Sequence, residues 1–536
     1  MTDTPMKKTN RHVEIYDSTL RDGTQAEAIS FSLEDKLLIA EKLDGLGVQY
    51  IEGGWPNHTN RKDMEFFREI RNIPLKTSKI AAFGSTRRLT NRPEKDPILL
   101  TLVEAETEVV TIFGKSWVLH VEEVLRISLD DNVRLIEDSV RFLREQERRV
   151  FYDAEHFFDG YKVNPEYAVR TIKSAEQGGA EIIVLCDTNG GSLPDEIACI
   201  CDDVRGKIGI PFGVHCHNDA GMSAANTLAG VIHGALQIQG TINGIGERCG
   251  NDNLCTTIPN LSLKLGIECL PERHISGLMD ISRFVSEIAN ESHNHRQPYV
   301  GESAFAHKGG AHIDGVLKNP LTFEHVDPEL VGNQRRFLVS DQSGRSTVLT
   351  KLSSIYKDLD RNGPRIKAVL AELKKKEHEG YQYEAAQGSF EILAARIIEG
   401  YTSPFSFKGF RVITDHRDDG SMVSEATIKL SVDDKEEHTA AEGDGPVDAL
   451  NSALRKALNR FYPSLADVKL EDYKVRVLES NEGTASCVRV LIESSDGVDS
   501  WGTVGVSENV IDASYIALVD SLSYKLILDM RKMKKE

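Results

Sequence analysis

Residues 215–219, with the sequence HCHND, hold the side chains of this chain that are best suited to metal chemistry. His215 and His217 are two apart in a predicted strand, so both imidazoles point to one face, while the apolar residues around them point to the other. A buried strand rarely holds two imidazoles without partners, and neutral imidazole is the commonest metal ligand. Two interpretations are open for this segment alone: a divalent metal site, or a pair of hydrogen-bonded histidines.

The elements that must position these histidines alternate regularly between strands and helices. Eight strand-like segments with helix-like stretches between them fill about 250 residues, which is the size and rhythm of a TIM (β/α)8 barrel. A doubly wound open sheet is the alternative, but no GxGxxG turn follows the first strand. The predicted strands are residues 13–17, 48–54, 79–84, 108–114, 149–155, 181–187, 210–217 and 236–244.

Polar clusters lie at the C-terminal ends of five of these strands, where the active groups of such barrels are found. Each cluster alone could be a capped turn, and Glu247–Arg248 is expected to be a structural pair. The convergence of five clusters on one face instead predicts an active site. Their members are Arg21 and Asp22; Asp153, Glu155 and His156; Asp187, Thr188 and Asn189; His215 and His217; and Glu247, Arg248 and Asn251.

Composition narrows the function classes. A chain of 536 residues is expected to form two to four domains, and its net charge of −19 argues against nucleic acid or an anionic membrane as the main partner. No apolar run approaches the roughly 20 residues of a membrane span. The polar N-terminus has no secretory signal pattern, and eight scattered cysteines without zinc-type pairs indicate reduced thiols. A cytoplasmic location is therefore predicted.

Three motifs resemble the family of isopropylmalate and homocitrate synthases, whose barrels also include the HMG-CoA lyases. The motifs are DSTLRDGTQAE at 17–27, HCHND at 215–219 and NGIGERCGN at 243–251. The resemblance implies one divalent metal, which could be zinc, manganese, magnesium or cobalt. Carried over by motif, its protein ligands are Asp22, His215, His217 and Asn251.

Four further motifs resemble the citramalate synthase branch of that family. They are IEGGWP at 51–56, AAFGSTRR at 81–88, FGKSWVLHV at 113–121 and FYDAEHFFDGYK at 151–162. This resemblance implies a cytoplasmic acyltransferase that condenses acetyl-CoA with pyruvate and water to give (R)-citramalate and CoA. The reaction would open a threonine-independent route to isoleucine.

The same resemblance assigns roles to four barrel residues. Arg21 would bind substrate and stabilise the oxygen that becomes an alkoxide. Glu155 would help to remove the methyl proton of acetyl-CoA, with a structural salt bridge at the barrel rim as the alternative. Thr188 would donate a hydrogen bond to the substrate carboxylate, and Gln25 would either position substrate or cap its turn.

The residues after the barrel are expected to complete the site of a partner subunit. A polar linker at 290–303 precedes AFAHKGGAHIDGVLKNP at 304–320, whose family counterpart reaches over the neighbouring active site. By this resemblance His312, oriented by Asp314, would serve proton transfer, and His307 could belong to the same group. A glycine-flanked surface turn is the alternative, and a homodimer follows from the first interpretation.

The C-terminal part repeats one arrangement of three strands and a helix, at 405–458 and 473–522. It resembles the regulatory domain of the isopropylmalate synthases, which binds the pathway's end product at a dimer interface. Here that implies allosteric inhibition by isoleucine, with a dimerisation domain that binds no ligand as the alternative. The predicted domains are a catalytic barrel at 11–285, a linker with helical subdomains at 286–395, and an α+β regulatory domain at 396–536.

Other functions fit parts of the sequence. A condensation of isopropylmalate or homocitrate synthase type would use a different 2-keto acid on the same barrel. A lyase is also possible on this barrel, although the resembling lyases lack the duplicated tail. A non-catalytic amino-acid sensor is disfavoured by the full set of candidate catalytic residues and metal ligands.

Overall fold

Eight parallel strands close into a barrel in the order in which they occur along the chain, with β8 paired to β1. The structure is a computed structural model. It describes residues 11–57, 59–271, 274–339, 345–353, 355–356, 359–360, 363–416, 418, 420, 422–478 and 486–533. The strands are β1 (Glu14–Asp17), β2 (Tyr50–Gly54), β3 (Lys79–Ser85), β4 (Val109–Lys115), β5 (Arg149–Glu155), β6 (Ile182–Asp187), β7 (Phe212–Cys216) and β8 (Gln237–Gly240).

Helices surround the barrel and cover its outer face. The first shows how local sequence sets their ends: Ser32 forms a capping box with Asp35, and Gly47 ends the helix at a φ of 90°, which glycine adopts without strain. The helices are α1 (Leu33–Leu46), α2 (Arg61–Glu69), α3 (Pro97–Glu104), α4 (Leu129–Glu145), α5 (Phe157–Val163), α6 (Pro165–Gly178), α7 (Pro194–Arg205), α8 (Ser223–Ile232), α9 (Leu254–Pro259) and α10 (Leu278–Ile288).

The barrel has two apolar layers. Side chains that alternate along the strands fill its interior, among them Tyr16, Tyr50, Phe151 and Val184. The opposite faces of the same strands pack under the helices in a continuous core. Because the packed interior closes the barrel below, the polar strand ends are left at its C-terminal mouth.

The described chain divides into two compact units: the residues up to Phe305 with Val326–Arg335, and Ala306–His325 with the residues from Arg336 onward. The second unit contains two short paired strands, four helices and the repeated C-terminal part. The strands are β9 (Ala306–His307) and β10 (Arg336–Phe337). The helices are α11 (Gly310–Lys318), α12 (Arg345–Ser353), α13 (Pro364–His378) and α14 (Gln387–Ile398).

The C-terminal part consists of two three-stranded antiparallel sheets, each followed by one helix. The first repeat contains β11 (Ser406–His416), β12 (Met422–Val432), β13 (Lys435–Gly443) and α15 (Pro446–Leu458). The second contains β14 (Lys469–Val477), β15 (Val488–Ser495), β16 (Ser500–Ser507) and α16 (Val510–Met533).

These findings confirm the predicted fold class, a TIM barrel, helical subdomains and an α+β domain with an internal repeat. The predicted domain boundaries at 285 and 395 stay predictions. All eight cysteines are free thiols. Within the described ranges, no helix has the length and apolar character needed to cross a membrane.

Candidate active site

Three predicted metal ligands meet at the mouth of the barrel. Asp22 follows β1, His215 lies on β7, and His217 follows β7. Their ligand atoms all lie within 4.8 Å of one another, and all three residues are buried. The two Nε2 atoms are 3.2 Å apart, and Asp22 Oδ2 is 3.3 Å from His215 Nε2.

A hydrogen bond at Nδ1, on the side of the ring away from the metal ligands, sets the tautomer of His215. Its Nδ1 donates to Gln239 Oε1 at 2.9 Å, and Gln239 Nε2 donates to Asp153 Oδ1 at 3.1 Å. This chain of hydrogen bonds leaves Nε2 facing the cluster, as a metal-ligating histidine requires. Burial raises the pKa of Asp153 to about 7.

The charges in the cluster also suit a cation. Burial alone would raise the pKa of Asp22, but the Arg21 guanidinium and the His215 imidazole outweigh it and hold that pKa well below its usual range. Burial, with the neighbouring His215, lowers the pKa of His217 to about 3, so this ring is neutral. A carboxylate and a neutral imidazole are therefore ready to act as ligands.

Asn251 supplies the fourth predicted donor. It is buried beside His217, to which its backbone is bridged, and its Oδ1 has no hydrogen-bond partner among the described residues. A buried carbonyl oxygen without a partner is costly in an apo protein, and a cation would satisfy it. The donor set of two imidazoles, one carboxylate and one amide oxygen fits a divalent metal.

Arg21 is fixed at the edge of this cluster. Its Nε donates to Glu52 Oε2 at 2.6 Å, its Nη1 is 3.5 Å from Asp22 Oδ1, and its guanidinium lies over the Phe83 ring at 3.7 Å. These contacts direct a permanently charged group into the mouth pocket. The position is suitable for stabilising negative charge that develops on a bound substrate.

Glu155 ends β5 and lines the same pocket. One carboxylate oxygen, Oε2, is paired with Lys115 Nζ at the end of β4. The carboxylate is partly exposed, and within the described chain no hydrogen bond is made to its other oxygen. Both predicted roles, a proton acceptor and a salt bridge at the rim, are compatible with this geometry.

The other predicted substrate contacts also lie in the pocket. Thr188 Oγ1 accepts the backbone N–H of His156 at 2.9 Å, and within the described part of the chain the Thr188 hydroxyl donates to no other group, so its proton is available to a substrate. Gln25 is an exposed member of the lining at the end of a short 3-10 turn. Arg248 forms a bidentate ion pair with Asp219, with both N···O distances 2.8 Å, and its Nη1 is 3.5 Å from Glu247 Oε2. The structural role expected for Glu247–Arg248 stays a prediction.

Two buried residues that support the site were not predicted from the sequence. Glu52 is fully buried in β2 and accepts from both Arg21 and Tyr16, the latter at 2.8 Å. Gln239 in β8 orients His215. Both are charged or polar residues at buried positions of barrel strands, Glu52 in the sequence YIEGG and Gln239 in the sequence QIQG. Such residues at inward-facing positions of a barrel strand could have identified them.

The residues predicted to reach the active site of a partner subunit, His307, His312 and Asp314, belong to the second compact unit. The segment 304–320 that contains them is called the arm. The ring of His312 stacks on Phe323 at a centroid distance of 4.2 Å, and Asp314 is paired with Lys318 at 2.6 Å. His307 is buried and donates to Glu324 at 2.9 Å. Residues two apart on a helix do not face each other, and the role of Asp314 in orienting His312 stays a prediction.

Known protein families match three successive parts of the chain. A family described as HMGL-like matches residues 12–285, and one described as homocitrate synthase post-HMGL domain-like matches residues 299–380. The LeuA allosteric (dimerisation) domain matches residues 384–526.

Relatives that match nearly the full length of the chain show which branch of the family it belongs to. The (R)-citramalate synthase of Geobacter sulfurreducens is 56% identical over 96% of this chain and 97% of its own length. The chain belongs to the (R)-citramalate synthase family. In Aquifex aeolicus, the (R)-citramalate synthase is 52% identical, covering 96% of this chain and 98% of its own, whereas the 2-isopropylmalate synthase is 30% identical over 96% of both chains.

Membership in the citramalate synthase family fixes the enzyme class. The chain is an enzyme of the acyltransferase type that catalyses a condensation. The HMGL-like barrel carries a possible metal site at Asp22, His215 and His217. The LeuA domain indicates dimerisation and regulation.

Proposed function

We propose that this enzyme condenses acetyl-CoA with pyruvate and water to give (R)-citramalate and free CoA. The observation that carries this proposal is identity of 45–56% with five (R)-citramalate synthases over 96% of the chain. The two relatives named for 2-isopropylmalate synthesis in Methanocaldococcus jannaschii and Aquifex aeolicus are only 28% and 30% identical. The same relationship supports a place at the entry of isoleucine biosynthesis.

Asp22, His215, His217 and Asn251 would hold the divalent metal. Bound there, the metal would act as a Lewis acid on the keto group of pyruvate. The donor set admits manganese, zinc, magnesium or cobalt, with open positions left for substrate oxygens. The buried Asn251 oxygen without a protein partner supports its inclusion in this set.

Arg21, Thr188 and Gln25 would bind and orient pyruvate. Arg21 is anchored by Glu52 through Nε, so its terminal nitrogens are available to stabilise the alkoxide oxygen that forms on C2. Thr188 would donate its free hydroxyl proton to the substrate carboxylate. Gln25, on the exposed side of the pocket, would contact the substrate from the solvent side.

Glu155 would remove a proton from the methyl group of acetyl-CoA. The resulting carbon nucleophile attacks C2 of pyruvate and forms the new carbon–carbon bond, and water then cleaves the thioester to release CoA. The ion pair with Lys115 holds one oxygen of Glu155, so the other oxygen is presented to the substrate in a fixed direction.

His312, with Asp314, would serve a partner subunit in proton transfer and closure over the thioester. Support comes from the match to the LeuA dimerisation domain and from the family resemblance of the 304–320 segment. His307, held by Glu324, would support the fold of this segment. The homodimer and the cytoplasmic location belong to the same proposal.

Isoleucine would inhibit the enzyme through the C-terminal repeats. We expect isoleucine to inhibit the full chain more strongly than leucine, because an end product must be discriminated from its isomer. Initial rates measured with each amino acid would check this, and equal inhibition by both would contradict it.

A thiol-release assay with a panel of 2-keto acids tests the proposed reaction. With acetyl-CoA and a divalent metal, pyruvate should give the highest kcat/KM, ahead of 2-oxobutanoate, 2-oxoisovalerate and 2-oxoglutarate. Highest activity with 2-oxoisovalerate or 2-oxoglutarate would instead indicate an isopropylmalate or homocitrate type of condensation. Absence of thiol release with every acid would contradict the proposal.

A further inference from the structure

A cavity of about 420 Å³ lies between α13, α14 and α16, within the second compact unit. Its volume is in the range of small-molecule pockets, which is about 300–1,000 Å³. None of the metal ligands or proposed catalytic residues is part of its lining. The cavity therefore has no role in the condensation as proposed above.

One end of this cavity carries a carboxylate beside a guanidinium. Asp520 Oδ1 is 3.7 Å from Arg396 Nη2, which is within ion-pair range but too long for a hydrogen bond. The Asp520 side chain is 15% exposed, whereas that of Arg396 is 56% exposed. In the described part of the chain, Asp520 Oδ1 accepts no hydrogen bond and the Arg396 guanidinium donates none. Both groups are therefore available to a ligand.

The other oxygen of Asp520 is held by the protein. Ser389 Oγ donates to Oδ2 at 2.7 Å and accepts the backbone N–H of Val504 at 3.0 Å. Ser389 thereby connects α14 to both β16 and α16. Burial raises the pKa of Asp520 to about 6, so most of the carboxylate is ionised near neutral pH. Oδ1 is thus a fixed anionic acceptor for a cationic group.

Much of the remaining lining is hydrocarbon or aromatic. Leu393 and Ile397 come from α14, and Ile516 and Val519 come from α16. The buried Tyr383 adds an aromatic ring. A ligand that matches this cavity carries two opposite charges close together and an apolar remainder.

We propose that this cavity binds an aliphatic α-amino acid, with its ammonium group on Asp520 and its carboxylate on Arg396. An α-amino acid carries both charged groups on one carbon, which matches the adjacent acid and base. Its hydrocarbon side chain matches the apolar lining. The effector site implied by the family resemblance lies at a dimer interface of the repeats, whereas one chain supplies every residue of this cavity, including α13 and α14. The cavity is therefore a second amino-acid site.

Equilibrium dialysis of the full-length enzyme with ¹⁴C-labelled isoleucine, leucine or valine tests this site. At least one of the three should bind to the cavity, and in Arg396→Ala we expect the Kd at this site to rise roughly tenfold, which corresponds to about 1.4 kcal/mol. Asp520→Asn keeps the shape of the side chain but removes its charge, so binding should weaken similarly. Isobutylamine and isovalerate, which each carry only one of the two charges, should compete weakly.

Arg365→Ala is the matched control. It removes the same charge from an exposed position on α13 that is outside the cavity lining, so amino-acid binding should stay at the wild-type level. Thiol release without added amino acid should be unchanged in all three variants, which shows that each is folded. Because the Arg396 side chain is largely exposed, Arg396→Ala remains informative even if Asp520→Asn fails to fold.

The outcomes separate this site from the proposed function. If Arg396→Ala binds all three amino acids with the wild-type stoichiometry and Kd, or if the wild type binds none of them, the assignment of the cavity is wrong. Loss of isoleucine inhibition together with all amino-acid binding in Arg396→Ala would overturn the separation from the interface site. A wild type without thiol release contradicts the proposed condensation, whatever the dialysis shows.

Discussion

At the scale of single residues, the site depends on side chains whose orientation is fixed by hydrogen bonds to buried neighbours. His215 is oriented by Gln239, which is in turn bonded to Asp153, and Arg21 is anchored on the buried Glu52. The interacting atoms are within 3.1 Å in all three contacts, and the supporting residues are buried. Supporting residues of this kind fix the orientation of the side chains that bind metal and substrate, so their loss is expected to weaken binding at the site.

Replacement of His215 by Ala should remove bound metal and turnover together. The variant loses one of four proposed ligands at the barrel mouth, so the surrounding core should remain folded. Metal content by elemental analysis and circular dichroism would be measured in parallel. His233→Ala is the matched control, because this histidine is bonded to Asp202 away from the cluster. Unchanged metal content in His215→Ala would show that the ligand assignment is wrong.

Replacement of Glu155 by Gln should lower kcat by about 10² to 10⁴. The amide keeps the shape of the side chain but cannot accept the proton, while Arg21 and Thr188 still bind pyruvate. Glu247→Gln provides the control, since Glu247 lines the same pocket and, among the described residues, forms one ion pair, at 3.5 Å, with Arg248. Near-normal turnover in Glu155→Gln would show that Glu155 is not the proton acceptor and that its ion pair with Lys115 is a structural contact at the barrel rim.

At the scale of elements, all eight strands predicted for the barrel are present, with small boundary errors. The strand predicted at 149–155 agrees with β5 at both ends, where charged residues mark the limits of an apolar segment. The strand predicted at 236–244 is shorter in the structure, ending at Gly240. The residues after Gly240 turn into the loop that carries Asn251.

The supporting polar residues were harder to predict for a physical reason. A parallel barrel strand is buried on both faces, so its sequence is nearly all apolar and does not reveal which face points inward. Glu52 is therefore an isolated exception in its strand, and Gln239 cannot be told apart from Gln237 in the same strand until the strand register is known. The metal ligands were easier to find because they lie at strand ends, where polar clusters stand out from the apolar strands.

The second repeat depends on a close approach between β16 and α16. A Cβ at Gly505 would lie 1.9 Å from the Ala513 carbonyl oxygen, so Gly505→Ala must separate strand and helix. We expect a destabilisation of about 1–3 kcal/mol, the usual range for overpacking. The loss would be measured as a lower thermal unfolding midpoint.

Gly409 in β11 is the matched control for this prediction. A Cβ there meets no atom within 4 Å, so Gly409→Ala should leave the midpoint nearly unchanged. Equal midpoints for Gly505→Ala and the wild type would mean that the strand and helix are not packed as described.

At the scale of the whole molecule, the proposed arm makes each active site a product of two chains. Under this hypothesis, His215→Ala and His312→Ala chains are each nearly inactive alone. After subunit exchange, a heterodimer has one site with both defects and one with neither. Random mixing gives about half heterodimers, so activity should recover to roughly a quarter of the wild type.

The exchange itself must be measured beside the activity. Pull-down through a tag on one variant reports heterodimer formation, and mixtures of His215→Ala with itself give the background rate. If heterodimers form and activity does not recover, His312 acts within its own chain or takes no part in the reaction.

Identification of the reaction product tests the central claim most directly. The enzyme would be incubated with pyruvate, a divalent metal and acetyl-CoA labelled with ¹³C in the acetyl group, and the product separated by chiral chromatography with mass detection. The account predicts (R)-citramalate with both labelled carbons in its CH2–carboxylate group, in amounts equal to the free CoA released. Thiol release without labelled citramalate, or formation of the (S)-isomer, would contradict it.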